Sequence, residues 1–273
     1  MSTINLNKIY DFRKLNWDNS NLGSSDGILP KAVIEKNNHK YYLKLGSYSK
    51  PFGIYGIEPI IEIINSRIGQ ILGLPVLDYN LKRCLVNLKG DEISTIVSIS
   101  NDYAANCKQT SFEKVYETMC EPQESTIDFC KRIGIIDSIY KEFLFDFIIC
   151  NLDRHGKNTE ILTNKFGKMN IAPFFDNSLT FISNRTDTDI KENKMYNDEM
   201  RVNNYIGTQN LKSNLFLIDK PIKIRVPRKE DRELLFQGLG KITTREFRDY
   251  VWNIFLRRVY DARHCGISFI QWC

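Results

Sequence analysis

The chain has 273 residues, 42% apolar, 12% aromatic and 26% charged, a composition that excludes a disordered or fibrous protein and suits one or two globular domains. Its 38 basic against 33 acidic residues leave a net charge of +5, too small and too dispersed for a nucleic-acid-binding stripe. Seven cysteines form no C-x-x-C pair and only three histidines could join them, so reduced thiols in a cytoplasmic protein are expected, not a disulfide framework or a zinc site. The amino terminus lacks the apolar core of a signal peptide. The greasiest run, residues 143–150, contains Asp146 and falls far below the ~20 residues of a membrane span.

In chain order, the small-residue loop Gly23-Ser24-Ser25-Asp26-Gly27 leads into a predicted hairpin, with β-prone runs at 32–35 and 40–45 around the polar turn Lys36-Asn37-Asn38-His39. In its second run Tyr41, Leu43 and Leu45 face one way, Tyr42 and Lys44 the other. Isoleucines 60, 61, 64, 68 and 71 recur at helical intervals, which predicts a helix over 58–72 stopped by Gly73 and Pro75, with Glu58, Glu62, Ser66 and Gly69 on its other face. Residues 74–79, 81–88 and 92–98 read as further strands. After Asn101 the pattern turns helical, at 112–119, 125–133 and 136–150; the last is apolar nearly all round and therefore a buried helix. A polar loop at 151–158, a strand at 159–162, a turn at 165–168 and a strand at 169–175 follow. The segment 183–209 is polar and reads as a mobile surface loop, with closing helices at 228–237 and 244–260.

The chemistry is concentrated in Asn151-Leu152-Asp153-Arg154-His155-Gly156-Lys157-Asn158 and the later Phe174-Phe175-Asp176-Asn177. Phosphoryl transfer from ATP needs a base for the acceptor hydroxyl and oxygen ligands for Mg²⁺. Asp153 supplies the first, Asn158 and Asp176 the second. A cation fixed by a carboxylate must also hold the phosphates, and Lys44 with Glu62 is the expected pair, Glu58 being the competitor one turn earlier. Lys31 and the 23–27 loop can close over the triphosphate. Arg154 and Lys157 either neutralise phosphate and dock substrate or are solvated.

Asp153-Arg154-His155-x-x-Asn158 before an apolar strand and Phe175-Asp176, preceded by Ser24-x-x-Gly27-x-x-x-Lys31, Tyr41-x-x-Lys44 and a Glu-bearing helix ending Leu72-Gly73-Leu74-Pro75-Val76, resembles the HipA-type bacterial serine/threonine kinases. The resemblance covers about residues 20–180. It implies an α+β, bilobal protein-kinase-like fold, with a β-rich nucleotide lobe over 1–101 and a mainly helical lobe over 102–273. It places Lys44 at the α and β phosphates with Glu62 as its partner, Lys31 and Gly27 near the triphosphate, Asp153 as catalytic acid/base, and Asn158 and Asp176 on Mg²⁺. Adenine is expected against the backbone at 98–102, including Ser98 and Asn101. His155 is grouped with the nucleotide-binding residues, its ring holding loop backbone. Ser24 and Ser25 stand where HipA-like kinases carry an autophosphorylated serine.

The chain departs from full-length HipA by starting close to the Gly-rich loop and by its shorter carboxyl end, a compact build closer to HipT-like and CtkA-like members. The resemblance further implies a protein substrate, such as an aminoacyl-tRNA synthetase or other translation factor, and a toxin or effector role with an antitoxin-like partner. Direct nucleic-acid binding is not expected, and delivery to a host cell stays open. The Asp-Arg-His order is shared with phosphatidylinositol-kinase-like enzymes, so a small-molecule or phosphoinositide-like lipid kinase is the alternative, with a nucleotide-binding pseudokinase acting as an interaction module behind it.

Overall fold

The computed structural model describes residues 4–17, 29–104, 106–183, 185–192, 194, 200–265 and 267, together with the backbone of 269–270. Its first half runs β1 (Ile9–Asp11), β2 (Lys31–Lys36), β3 (His39–Lys44), β4 (Tyr48–Ser49), β5 (Gly53–Ile54), α1 (Glu58–Leu72), β6 (Tyr79–Leu88) and β7 (Asp91–Asn101). The second half runs β8 (Lys108–Ser111), α2 (Phe112–Met119), α3 (Thr126–Arg132), α4 (Ile136–Ile149), β9 (Glu160–Thr163), β10 (Met169–Ile171), α5 (Asp187–Lys191), α6 (Leu211–Leu215), β11 (Ile222–Lys223), α7 (Asp231–Phe236), α8 (Arg245–His264) and β12 (Phe269–Ile270).

Five strands form one sheet in the order β1-β6-β7-β3-β2, antiparallel except for β1 against β6. The β2–β3 turn places Asn37 and Asn38 at φ 52° and 60°, the left-handed pair that a two-residue hairpin turn requires and that asparagine tolerates best after glycine. The register sets Lys44 between Lys31 on β2 and Ser98 on β7. One face of this sheet buries a small core of Leu43, Leu45, Val86 and Val97.

Helix α1 belongs to a second, larger core shared with α4 and α8. Ile61, Ile63, Ile64, Ile68 and Ile71 are all at most 2% exposed, and each such burial is worth about 1.5–3 kcal/mol. Gly73 ends the helix at φ 73°, as its position before Pro75 predicts. Two long polar side chains reach from α1 into the second half. Arg67 donates to the carbonyls of Leu235 and Gln237 at 2.9 and 2.8 Å, and Asn65 donates to the carbonyl of Asn177 at 2.7 Å.

Three sequence expectations change. Residues 74–78 are not a strand: Pro75 has no N–H for a ladder, and the segment instead grips the chain ahead of Asp176, through Phe174 N to Pro75 O (2.7 Å) and Leu77 N to Phe174 O (2.9 Å). Gly69 makes room for it, since a Cβ there would lie 2.2 Å from Val76 Cγ1. The strand expected over 169–175 stops at Ile171, because Pro173 cannot continue the ladder. The polar segment 183–209 is not all surface loop: residues 187–191 form α5 behind a Thr186–Asp189 capping box, and Val202 and Ile206 are buried in the main core. The described cysteines are free thiols. No helix among the described residues is long and apolar enough to cross a membrane.

Candidate active site

Lys44 closes β3 with its side chain pointing away from the small core, and α1 brings Glu62 to it. Lys44 Nζ donates to Glu62 Oε1 at 2.7 Å and also contacts Asp176 Oδ1. Glu58, the alternative partner, is engaged elsewhere, accepting from the N–H (3.0 Å) and hydroxyl of Ser47. The second oxygen of Glu62 accepts from Asn177 N at 3.1 Å, so one buried carboxylate fixes both the lysine and the backbone beside Asp176. Asp176 itself adopts a left-handed backbone, φ 54°, an uncommon conformation for aspartate that this bonding holds. Burial drives the Lys44 pKa down, but the charges of Asp176 and Glu62 outweigh it and hold the ammonium above its ordinary value. Burial likewise pushes Asp176 up, and Lys44 and then Lys31 overcome it, holding the carboxyl well below the usual range.

The loop 151–158 follows α4, whose last turn is closed by Cys150 at φ 51°. Asn151 accepts from Asp153 N at 3.1 Å and donates to Asp146 at 2.9 Å, which anchors the loop to the helix. Arg154 is neither solvated nor presented to phosphate, as sequence reasoning had it, but 3% exposed. Its guanidinium donates to Asp146 (2.8–3.3 Å), to Asn177 Oδ1 (2.6 Å) and to the carbonyls of Asn158 (3.0 Å) and Phe175 (2.9 Å). Glu142, one turn before Asp146 on the same helix, stands 3.5 Å from it. The signal for this clamp was Glu142 and Asp146, one turn apart within the most apolar stretch of α4, where carboxylates need a cation to be buried.

Asp153 and Asn158 face a common space. Asn158 donates its amide to the carbonyl of Asp153 at 2.9 Å, while its Oδ1, though buried, has no hydrogen-bond partner. An orphaned amide oxygen near an anionic Asp176 is a donor pair suited to a hard divalent cation, so these residues fit Mg²⁺. Asp153 Oδ1 accepts from Asn203 Nδ2 at 2.6 Å, and its Oδ2 lies 4.0 Å from His155 Nε2. His155 also accepts from Lys157 N through Nδ1 (3.2 Å) and from Asn158 N through its carbonyl (2.8 Å). Asn203 was missed by sequence reasoning, and nothing local marks it: it arrives from the polar segment after α5 and is laid along the loop by Asn203 N to Leu152 O (2.9 Å) and Tyr205 N to Arg154 O (3.1 Å).

These residues divide between two cavities. The first, about 570 Å³, is lined by Ser98, Ser100, Asp102, Tyr103 and Phe175; the second, about 660 Å³, by Asp153, His155, Asn158, Asn203 and Tyr205. Lys31, Lys44 and Asp176 line both. Asn101 is not part of the first wall: it pairs with Tyr41, and its neighbours Ser100 and Asp102 line the cavity instead. Gly27, Ser24 and Ser25 lie outside the described residues.

Among solved structures, the Helicobacter pylori proinflammatory kinase CtkA matches with a TM-score of 0.64 at 16% identity, over 95% of this chain and 97% of that one. HipA of Shewanella oneidensis MR-1, solved with HipB and operator DNA, matches with a TM-score of 0.42 at 14% identity, over 88% of this chain and 56% of that one. No protein-family model and no curated protein sequence matches the chain. The likeness to CtkA extends over nearly the whole of both chains and shows that this protein has a kinase-like α+β fold, the fold expected from its motifs.

Proposed function

We propose that the chain is an ATP-dependent serine/threonine kinase that transfers the γ-phosphoryl group to a protein hydroxyl. The observation that carries this reading is the wall of Lys31, Lys44 and Asp176 shared by two cavities, with Asp153 in the second. A nucleotide in the first cavity, whose volume suits a small cofactor, directs its phosphates at that wall, and an acceptor in the second meets them there. Lys44, held by Glu62, and Lys31 bind phosphate oxygens. The acceptor oxygen bonds to the γ-phosphorus as the bond to the β–γ bridging oxygen breaks; ADP leaves, and the hydroxyl proton passes to Asp153. Asn203 occupies Oδ1 of Asp153, which leaves Oδ2 for that proton. Asn158 and Asp176 would hold Mg²⁺, which neutralises charge on the phosphates. Positioning and electrostatics supply most of the rate. The loop serines Ser24 and Ser25 are the proposed sites of self-modification.

Incubation of the purified chain with γ-labelled ATP, Mg²⁺ and a bacterial lysate tests this. Label on serine or threonine, of the chain or of lysate proteins, supports the reading. Label confined to lipid or small molecules moves the acceptor class, and tight ATP binding without transfer makes the chain a pseudokinase; either outcome contradicts the proposal. A Ser24→Ala, Ser25→Ala double variant should lose self-labelling while still modifying other proteins.

A further inference from the structure

The second cavity carries more information than the position of a base. Four carboxylates line it, and three are engaged: Asp176 by Lys44, Glu58 by Ser47 and Asp153 by Asn203. The fourth, Glu113, is half-buried and accepts no hydrogen bond and makes no ion pair among the described residues. Its backbone N–H is bonded to Gly156 O at 3.2 Å, which fixes it beside the loop that carries Asp153. Gly156 is close-fitting here, since a Cβ would lie 2.6 Å from Glu113 Cβ and 3.0 Å from the Tyr205 ring. The wall at this point is therefore a carboxylate next to an aromatic face.

Glu117, one turn further along α2, extends the same negative surface outward and is exposed and equally unmatched. Burial, and then the charges of Glu117 and Glu113, push the Tyr205 phenol up, which places both carboxylates within electrostatic reach of its ring. That ring is held edge-on to Phe112 and Tyr116, with centroids 6.0 and 6.2 Å away. Glu113 pairs with no cation among the described residues, and an aromatic face flanked by carboxylates is the recognised environment of a guanidinium or ammonium group.

We infer that the second cavity selects a polypeptide acceptor with arginine or lysine close to the phosphorylated serine or threonine, its cation lying on Tyr205 between Glu113 and Glu117. This rests on the kinase reading and specifies its substrate class. The cavity is far larger than one serine side chain needs; Leu29, Tyr55 and Leu179 in its wall suit the neighbouring residues of an extended segment, and Lys31, Lys44 and Lys157 supply its cations.

The test uses two synthetic peptides, identical except that a central serine is flanked by arginines or by glutamates, given to the full chain with Mg²⁺ and γ-labelled ATP. The wild type should favour the arginine peptide about tenfold in kcat/KM. Glu113→Lys should abolish that preference, and Glu117→Lys, at an exposed position that the fold does not depend on, should reduce it. Equal use of both peptides by the wild type, preference for the glutamate peptide, or a preference unchanged in both variants overturns the inference. ATP consumption without label on either peptide also overturns it and leaves the kinase reading standing, whereas no ATP consumption and no transfer to any acceptor removes that reading as well.

Discussion

Lys44 and Arg154 are little-exposed cations each set between two carboxylates, and they do opposite things. Lys44 lies between Glu62 and Asp176 at a cavity wall, its side chain 13% exposed and that of Asp176 20%. Arg154 lies between Asp146 and Glu142, with all three side chains at most 4% exposed. An ammonium has three donors, and Lys44 spends two on its carboxylates, so one is left for a phosphate. The planar guanidinium spends its fork on Asp146, Asn177 and two carbonyls. The carbonyls it holds belong to Asn158 and to Phe175, the residue before Asp176. Arg154 thus fixes the spacing of Asn158 and Asp176, the two proposed oxygen ligands, while Lys44 would act on what they bind.

The largest expected effect separates these roles. Lys44→Met should lower phosphate transfer about 1,000-fold, as the loss of a charge aimed at the reacting group does. Arg154→Met leaves buried carboxylates unpaired and should cost about 3 kcal/mol of stability, read from the urea midpoint. If Lys44→Met lost more stability than Arg154→Met, the distinction between the two clusters would collapse. Asn203→Ala removes the neutral donor on Asp153 and should slow transfer about tenfold with little change in the KM for ATP; a rate equal to wild type would remove Asn203 from the site.

The smallest effect concerns pH. Burial, with the charge of Asp146 adding to it and that of Arg154 opposing it, raises the Glu142 carboxyl from 4.5 to about 7. Between those values the folded chain holds a proton that the unfolded chain has released, so this group's contribution to stability is full at low pH and is lost as pH rises through about 7. Glu142→Gln removes that slope. Relative to wild type it should gain on the order of 1 kcal/mol between about pH 5 and pH 8, measured by urea unfolding at both. A gain in the reverse direction would show that Arg154 dominates the cluster. Asp176, in the open cluster, is shifted the opposite way and stays anionic throughout this range.

What could be read from the sequence follows how local the information is. The α1 boundaries and its buried stripe were legible because helical and strand periodicities place side chains on faces; the same periodicity narrowed the partner of Lys44 to Glu58 or Glu62, and only the family resemblance favoured Glu62. That Asp153, Asn158 and Asp176 line one cavity was legible because one short loop and one hairpin carry them. Residues 74–78 were misread because an apolar run suggests a strand until Pro75 is asked for its missing N–H. The true role of Arg154 depended on the fold bringing Asn177 and Phe175 to it, although Asp146 within α4 was a clue. Asn203 depended wholly on a return of the chain after α5 that no periodicity announces.

In the proposed reaction Asp153 accepts the acceptor's proton while the Lys44–Asp176 wall holds the phosphates. Its most direct measurement is transfer of label from γ-labelled ATP with Mg²⁺, compared between wild type and Asp153→Asn, with nucleotide binding followed in parallel by calorimetry. Wild type should transfer label, and Asp153→Asn should bind ATP with similar affinity but transfer about 1,000-fold more slowly. Equal transfer by the two proteins would contradict it.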